Sequence, residues 1–255
     1  MTLAPDLQAL KDETLRLRGY WHRFHDGLLA WSPAFLRAYL GFQSAPWRSN
    51  HLEPKVREFI YIAVDSAVTH LYPSGLRRHI DDALALGATP GEVLQVVLLT
   101  ASAAAHATHE LGLAILAEEM PRALAAATDP KDASRRDAYV ASTGSWSPVG
   151  DAVLALAPDF AEGFLGYRQS AWEAGPLPDR IKALILLAYH ASPATLNREG
   201  TRLYMREAIR FGASAGEIAE VLQLASAIAV HTCTYGVPAL MDAVAELEKK
   251  KASGT

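Results

Sequence analysis

The sequence repeats itself at an offset of 125 residues, and from Asp12 to about Met120 the two halves run in one gapless register. Asp12 matches Asp137, Trp21 matches Trp146, Asp26 matches Asp151, Pro33 matches Pro158, Phe35 matches Phe160 and Trp47 matches Trp172. Further along, Gly75 matches Gly200, Arg77 matches Arg202, Gly87 matches Gly212, Glu92 matches Glu217 and His106 matches His231. A register of that length implies that one structural unit of about 110 residues was duplicated and fused. The two repeats are placed at 1–122 and 123–255, and function is expected where they differ.

Each copy reads as helical. Val56, Phe59, Ile60, Ala63, Val64 and Ala67 recur at helix spacing, as do Ile181, Leu184, Ile185, Ala188 and Tyr189, so each segment is expected to bury one face. Turns follow at 71–75 and 196–200. The next helices run through Ala83 and Ala208 and close at Gly87 and Gly212, where glycine tolerates the left-handed conformation. Thr89-Pro90-Gly91-Glu92 and Ser214-Ala215-Gly216-Glu217 match the capping box, with Pro90 at the first helical position. The alanine-rich stretches from Val93 to Leu116 and from Ile218 to Val244 suit central helices packed on all sides. Loops are expected at 121–131 and 142–145, and a frayed tail from Lys249. No segment alternates like a strand, so the expected class is all-α, a pseudo-twofold tandem duplication.

Bulk properties exclude several roles. A formal charge of −4 and no basic stripe argue against nucleic acid as a partner. The single cysteine, Cys233, rules out an intrachain disulfide and points to a cytoplasmic home. The N-terminus carries acids and no apolar core, unlike a signal peptide. The longest apolar run, Val96 to Ala105, falls short of the ~20 residues needed to cross a bilayer, so no membrane is expected as a partner.

Gly19-Tyr20-Trp21, Pro33-Ala34-Phe35 through Leu40-Gly41-Phe42, Leu52 through Glu58, Arg77-Arg78-His79-Ile80 and Ala83 through Thr89 together resemble the carboxymuconolactone decarboxylase family, which includes the alkylhydroperoxidase D-like proteins. The resemblance covers nearly the whole chain as two tandem copies and is most specific from Pro54 to Leu99. It implies an all-helical fold assembling into trimers or hexamers. It also implies one of two chemistries: decarboxylation of a small lactone acid, or peroxide reduction by a CxxC pair.

The peroxidase branch needs Glu, CxxC and His, because a thiolate attacks peroxide and a second thiol resolves the product. Glu58 and His79 resemble the outer members, spaced about two residues wider than the redox pattern, but His70-Leu71-Tyr72-Pro73-Ser74-Gly75 holds no sulfur. The second copy has Lys182-Ala183 in place of Arg57-Glu58 and Tyr204 in place of His79. Dithiol chemistry is therefore disfavoured.

Decarboxylation needs a poorly solvated pocket, an electron sink and an acid to return a proton to carbon. The conjugated carbonyl of the lactone acid is itself the sink, so no cofactor is expected. His79 is the candidate acid and Glu58 the group that orients it. The bland alternative pairs Glu58 with Arg57 or Lys55 and leaves His79 as a core histidine. His70, Arg77 and His106 are candidates for the carboxylates of a small acid substrate. His70 could instead cap its helix, and Arg77 could form a structural ion pair. Trp47, placed on a loop before the helix of Glu58, could wall the pocket or simply pack. His106 and His109 share a helix face, yet no HExxH accompanies them, so no metal site is assigned.

The expected protein is thus a cofactor-independent decarboxylase of a small carboxylated lactone or related acid from aromatic-compound catabolism, assembled as a homotrimer. The alternatives are a cofactorless isomerase or lyase of another small acid, and a non-catalytic binding or assembly module.

Overall fold

The computed structural model describes residues 3–120, 130–143, 146 and 148–253. Its helices are, in chain order, α1 (Pro5–Arg18), α2 (Arg23–Trp31), α3 (Pro33–Ser49), α4 (Pro54–Asp65), α5 (Pro73–Ala85), α6 (Pro90–Glu119) and α7 (Pro130–Thr143). These are followed by α8 (Pro148–Leu156), α9 (Pro158–Glu173), α10 (Asp179–Ala191), α11 (Arg198–Arg210), α12 (Ala215–Ala227) and α13 (His231–Ser253), with a 3-10 turn at Ile228–Val230. No strand occurs among the described residues, and the all-α class holds. The expected loops at 121–131 and 142–145 fall largely outside the described residues, although Pro130 and Lys131 already belong to α7 and Ser142 and Thr143 end it.

Two compact units share the chain, one of residues Met1–Asn50 with Ser226–Thr255 and one of His51–Ala225. They do not follow the sequence repeat: each unit takes segments from both copies. In the first unit, α3 packs on α1 and α2, and α13 packs on α2. Leu10, Phe24, Leu28, Leu29, Leu36, Tyr39 and Leu40 form its core, with Val230, Cys233 and Val237 against it. Gly27 sits where α2 meets α13; a Cβ there would run into Val237 and Met241. Instead of fraying at Lys249, the tail continues α13 to Ser253.

The second unit is built on α4 and α10, which match each other in the repeat and pack together. The expectation that each buries one face understates them. Every residue from Val56 to Asp65 and from Ile181 to His190 is buried. A helix apolar around its whole circumference belongs in a core, and here the larger Ile, Leu and Phe side chains take that place. The alanine-rich helices do not. α6 leaves Leu94, Leu111 and Ile115 exposed, and its counterpart is broken by the 3-10 turn, with no buried residue in α13. Alanine removes little apolar area from water per residue, so it gives a weaker claim on the centre.

Helix ends behave as the sequence implies. Thr89 and Glu92 close a reciprocal capping box on α6, and Ser214 and Glu217 make the same exchange at α12. Gly87 and Gly212 have φ of 88° and 86°. The two copies also exchange polar contacts inside this unit. Glu220 of α12 accepts from Arg57 Nε at 2.6 Å and from the His51 backbone N–H at 2.8 Å. At the matching position Gln95 of α6 accepts from the Leu177 N–H at 2.9 Å and donates to the Trp172 carbonyl at 2.7 Å. One helix in each copy thus ties down the segment leading into the central helix of the other.

Candidate active site

The stretch between α4 and α5 turns the chain back so that the two helices pack side by side. Leu71 takes a left-handed φ of 42° there, and Leu196 takes 46° at the matching point of the second copy. Glu58, Tyr61 and Asp65 stand at i, i+3 and i+7 on one face of α4, while Gly75, His79 and Asp82 stand at i, i+4 and i+7 on α5. These two rows face each other.

His79 Nδ1 lies 2.6 Å from Glu58 Oε2, with side-chain exposures of 15% and 4%. An ionised carboxylate has no proton to give, so Nδ1 carries the hydrogen and Nε2 is the nitrogen left for chemistry. The His79 ring stacks on Tyr61 with centroids 4.5 Å apart, which fixes the plane in which Nε2 points. Nε2 lies 4.0 Å from Asp65 Oδ2, and His70 Nε2 lies 3.9 Å from Asp65 Oδ1. Asp65 is fully buried, and this desolvation pushes its carboxyl up to about 8. It is therefore largely uncharged at neutral pH. Burial also pushes the His70 imidazole down. Gly75 permits this packing, because a Cβ there would meet the Asp65 carboxylate and the Tyr72 ring.

The residues expected from the sequence are only partly brought together. Glu58, His79 and His70 converge around Asp65. Arg77 does not join them: its side chain is 78% exposed and bonded to Asp81 one turn on, because two residues along a helix swing it away from the face of His79. Trp47 sits inside α3, in the other compact unit, and not on a loop; Arg18 lies over its ring at 5.9 Å. His106 is fully buried beside Phe164 of α9, in a different cluster. Sequence reading missed Asp65 and Tyr61, although their i+7 and i+3 spacing from Glu58 was a usable signal. Single atoms of Glu58, His79 and Asp82 lie within 4.8 Å of one another, so these three could hold a cation, but Arg78 already bonds Asp82 at 3.2 Å.

The second copy departs from the first at this very place. Ala183, His190 and Tyr204 replace Glu58, Asp65 and His79. The family model for carboxymuconolactone decarboxylases matches twice, at residues 33–127 and 158–249. The chain belongs to the carboxymuconolactone decarboxylase family. A crystal structure from Burkholderia xenovorans, provisionally described as a gamma-carboxymuconolactone decarboxylase subunit, is similar over 95% of this chain and 98% of that one, at 34% identity and a TM-score of 0.85. No significant match to a curated protein was found. Within the family's repeated unit, only the first copy retains the imidazole–carboxylate pair.

Proposed function

We propose that the protein is a cofactor-independent decarboxylase of a small carboxylated lactone or a related acid from aromatic-compound catabolism, working at one site per chain in the first copy. The 2.6 Å contact between His79 Nδ1 and Glu58 carries this reading, because it engages one ring nitrogen and leaves Nε2 to face the substrate. In the reaction the bond to the carboxylate carbon breaks and CO2 leaves. The electron pair enters the conjugated carbonyl as an enolate, and Nε2–H of protonated His79 then delivers a proton to carbon. Glu58 holds the ring and its positive charge, and solvent restores the proton. The neutral state of Asp65 spares an anionic substrate a second negative charge. His70 is the nearby group suited to the substrate's carboxylate, whereas Arg77 is exposed and bonded to Asp81.

Three chains would supply six repeat units, so a homotrimer is the proposed assembly. A cytoplasmic location accords with the lone cysteine. The segment Ala215–Ser253 is long and apolar enough to span a bilayer. Its 3-10 break, Pro238 and the buried Glu217 and Glu220 fit a protein environment better.

The test is to incubate the purified chain with 4-carboxymuconolactone and with related unsaturated lactone acids, and to measure CO2. Stoichiometric CO2 release supports the reading. Conversion of the acid with no CO2 would replace it with isomerase chemistry, and no turnover of any acid would leave a binding module.

A further inference from the structure

The second copy does not simply lose a site; it builds a polar centre of opposite character. His190 of α10 stands where Asp65 stands in α4, and Tyr204 of α11 stands where His79 stands in α5. The matching glycine is kept, since a Cβ at Gly200 would meet the His190 ring as one at Gly75 meets Asp65. His190 and Tyr204 stack with centroids 5.3 Å apart and planes within 10°. The Tyr204 hydroxyl accepts from Arg168 of α9 at 3.1 Å, and the Arg168 guanidinium lies over Tyr139 at 5.6 Å. From the facing helix α6 comes His106, stacked on Phe164.

His106 and His190 are both fully buried, and none of their four ring nitrogens has a hydrogen-bond partner among the described residues. Leaving buried polar groups unmatched costs free energy, so such pairs call for an explanation. Both rings are held neutral, first by burial and then by the positive charge of Arg168, which acts on each. Each neutral imidazole carries one N–H donor. Where the first centre offers two carboxyl groups and two imidazoles, this one offers a guanidinium, a phenol and two uncharged N–H groups. Glu110 also lies near Arg168; Asn197 donates to it at 2.8 Å, and burial raises its carboxyl.

We propose that this centre binds a small carboxylate, with Arg168 as its countercharge and the N–H groups of His106 and His190 as neutral donors. The inference stands apart from the decarboxylase reading, because it uses no residue of the His79 site.

Acetate is the probe, titrated into the full chain by calorimetry at constant ionic strength. The ring nitrogens of His106 and His190 are followed by histidine-selective NMR. Saturable binding that shifts both rings is expected. Arg168→Met should weaken it by roughly tenfold or more, and Tyr204→Phe by a smaller factor, since a charged hydrogen-bond partner contributes more than a neutral one. His79→Gln should bind acetate as the wild type does. If Arg168→Met fails to fold, Tyr204→Phe decides. The proposal is overturned by absent binding, by binding insensitive to the soluble variants, by unmoved His106 and His190 signals, or by loss of binding in His79→Gln.

Discussion

Glu58 reaches across from α4 to place its Oε2 2.6 Å from Nδ1 of His79 on α5, so a carboxylate on one helix sets the tautomer of an imidazole on the next. The pair is nearly sealed from solvent, and Tyr61 covers one face of the ring.

His79→Gln should remove the proton donor while keeping a similar volume, lowering kcat by about 10² to 10⁴. Glu58→Gln should lower kcat by a smaller factor, because the ring keeps its Tyr61 stack but loses its charged partner. Melting temperature should fall little in His79→Gln. Steady-state kinetics beside a thermal melt checks both, and wild-type turnover by either variant would remove the pair from the mechanism.

Asp65 makes stability depend on pH. Its folded carboxyl sits at about 8 against an ordinary value of 3.8 in the unfolded chain, so the folded state binds more protons between those limits. Its contribution is fully present below about pH 4 and declines as pH rises to about 8. Asp65→Asn should therefore gain stability relative to the wild type as pH rises from 4 to 8, with the difference flat above that. Urea unfolding at a series of pH values measures the difference directly.

Two glycines should respond oppositely to alanine. At Gly75 a Cβ runs into Asp65 and Tyr72, so Gly75→Ala should destabilise by about 1 to 3 kcal/mol through overpacking and should disturb turnover as well. At Gly163, inside α9, a Cβ meets nothing within 4 Å, and Gly163→Ala should stabilise by about 0.5 to 1 kcal/mol. Denaturant midpoints distinguish the two.

Arg57 and Glu220 form an ion pair with side-chain exposures of 3% and 0%. Either Arg57→Ala or Glu220→Ala should cost about 3 to 5 kcal/mol, since each strands a buried charge, and the double substitution should cost less than the sum. A double-mutant cycle in urea would show additive losses if the pair were not coupled.

Local chemistry was legible from residue order alone. The capping boxes, the left-handed Gly87 and Gly212 and the all-helical class follow from short-range rules, and the 125-residue register exposed the duplication. The family resemblance nominated Glu58 and His79, and their absence from the second copy supported a functional role. What it could not decide was which helices occupy the centre and which polar groups meet across them. Burial of α4 and α10, the place of Asp65 beside His79, and the gathering of His106 with His190 and Arg168 depend on side chains distant in the chain. Helical periodicity names the residues that share a face; only packing of one helix on another, which excludes water and fixes the approach, decides what that face meets.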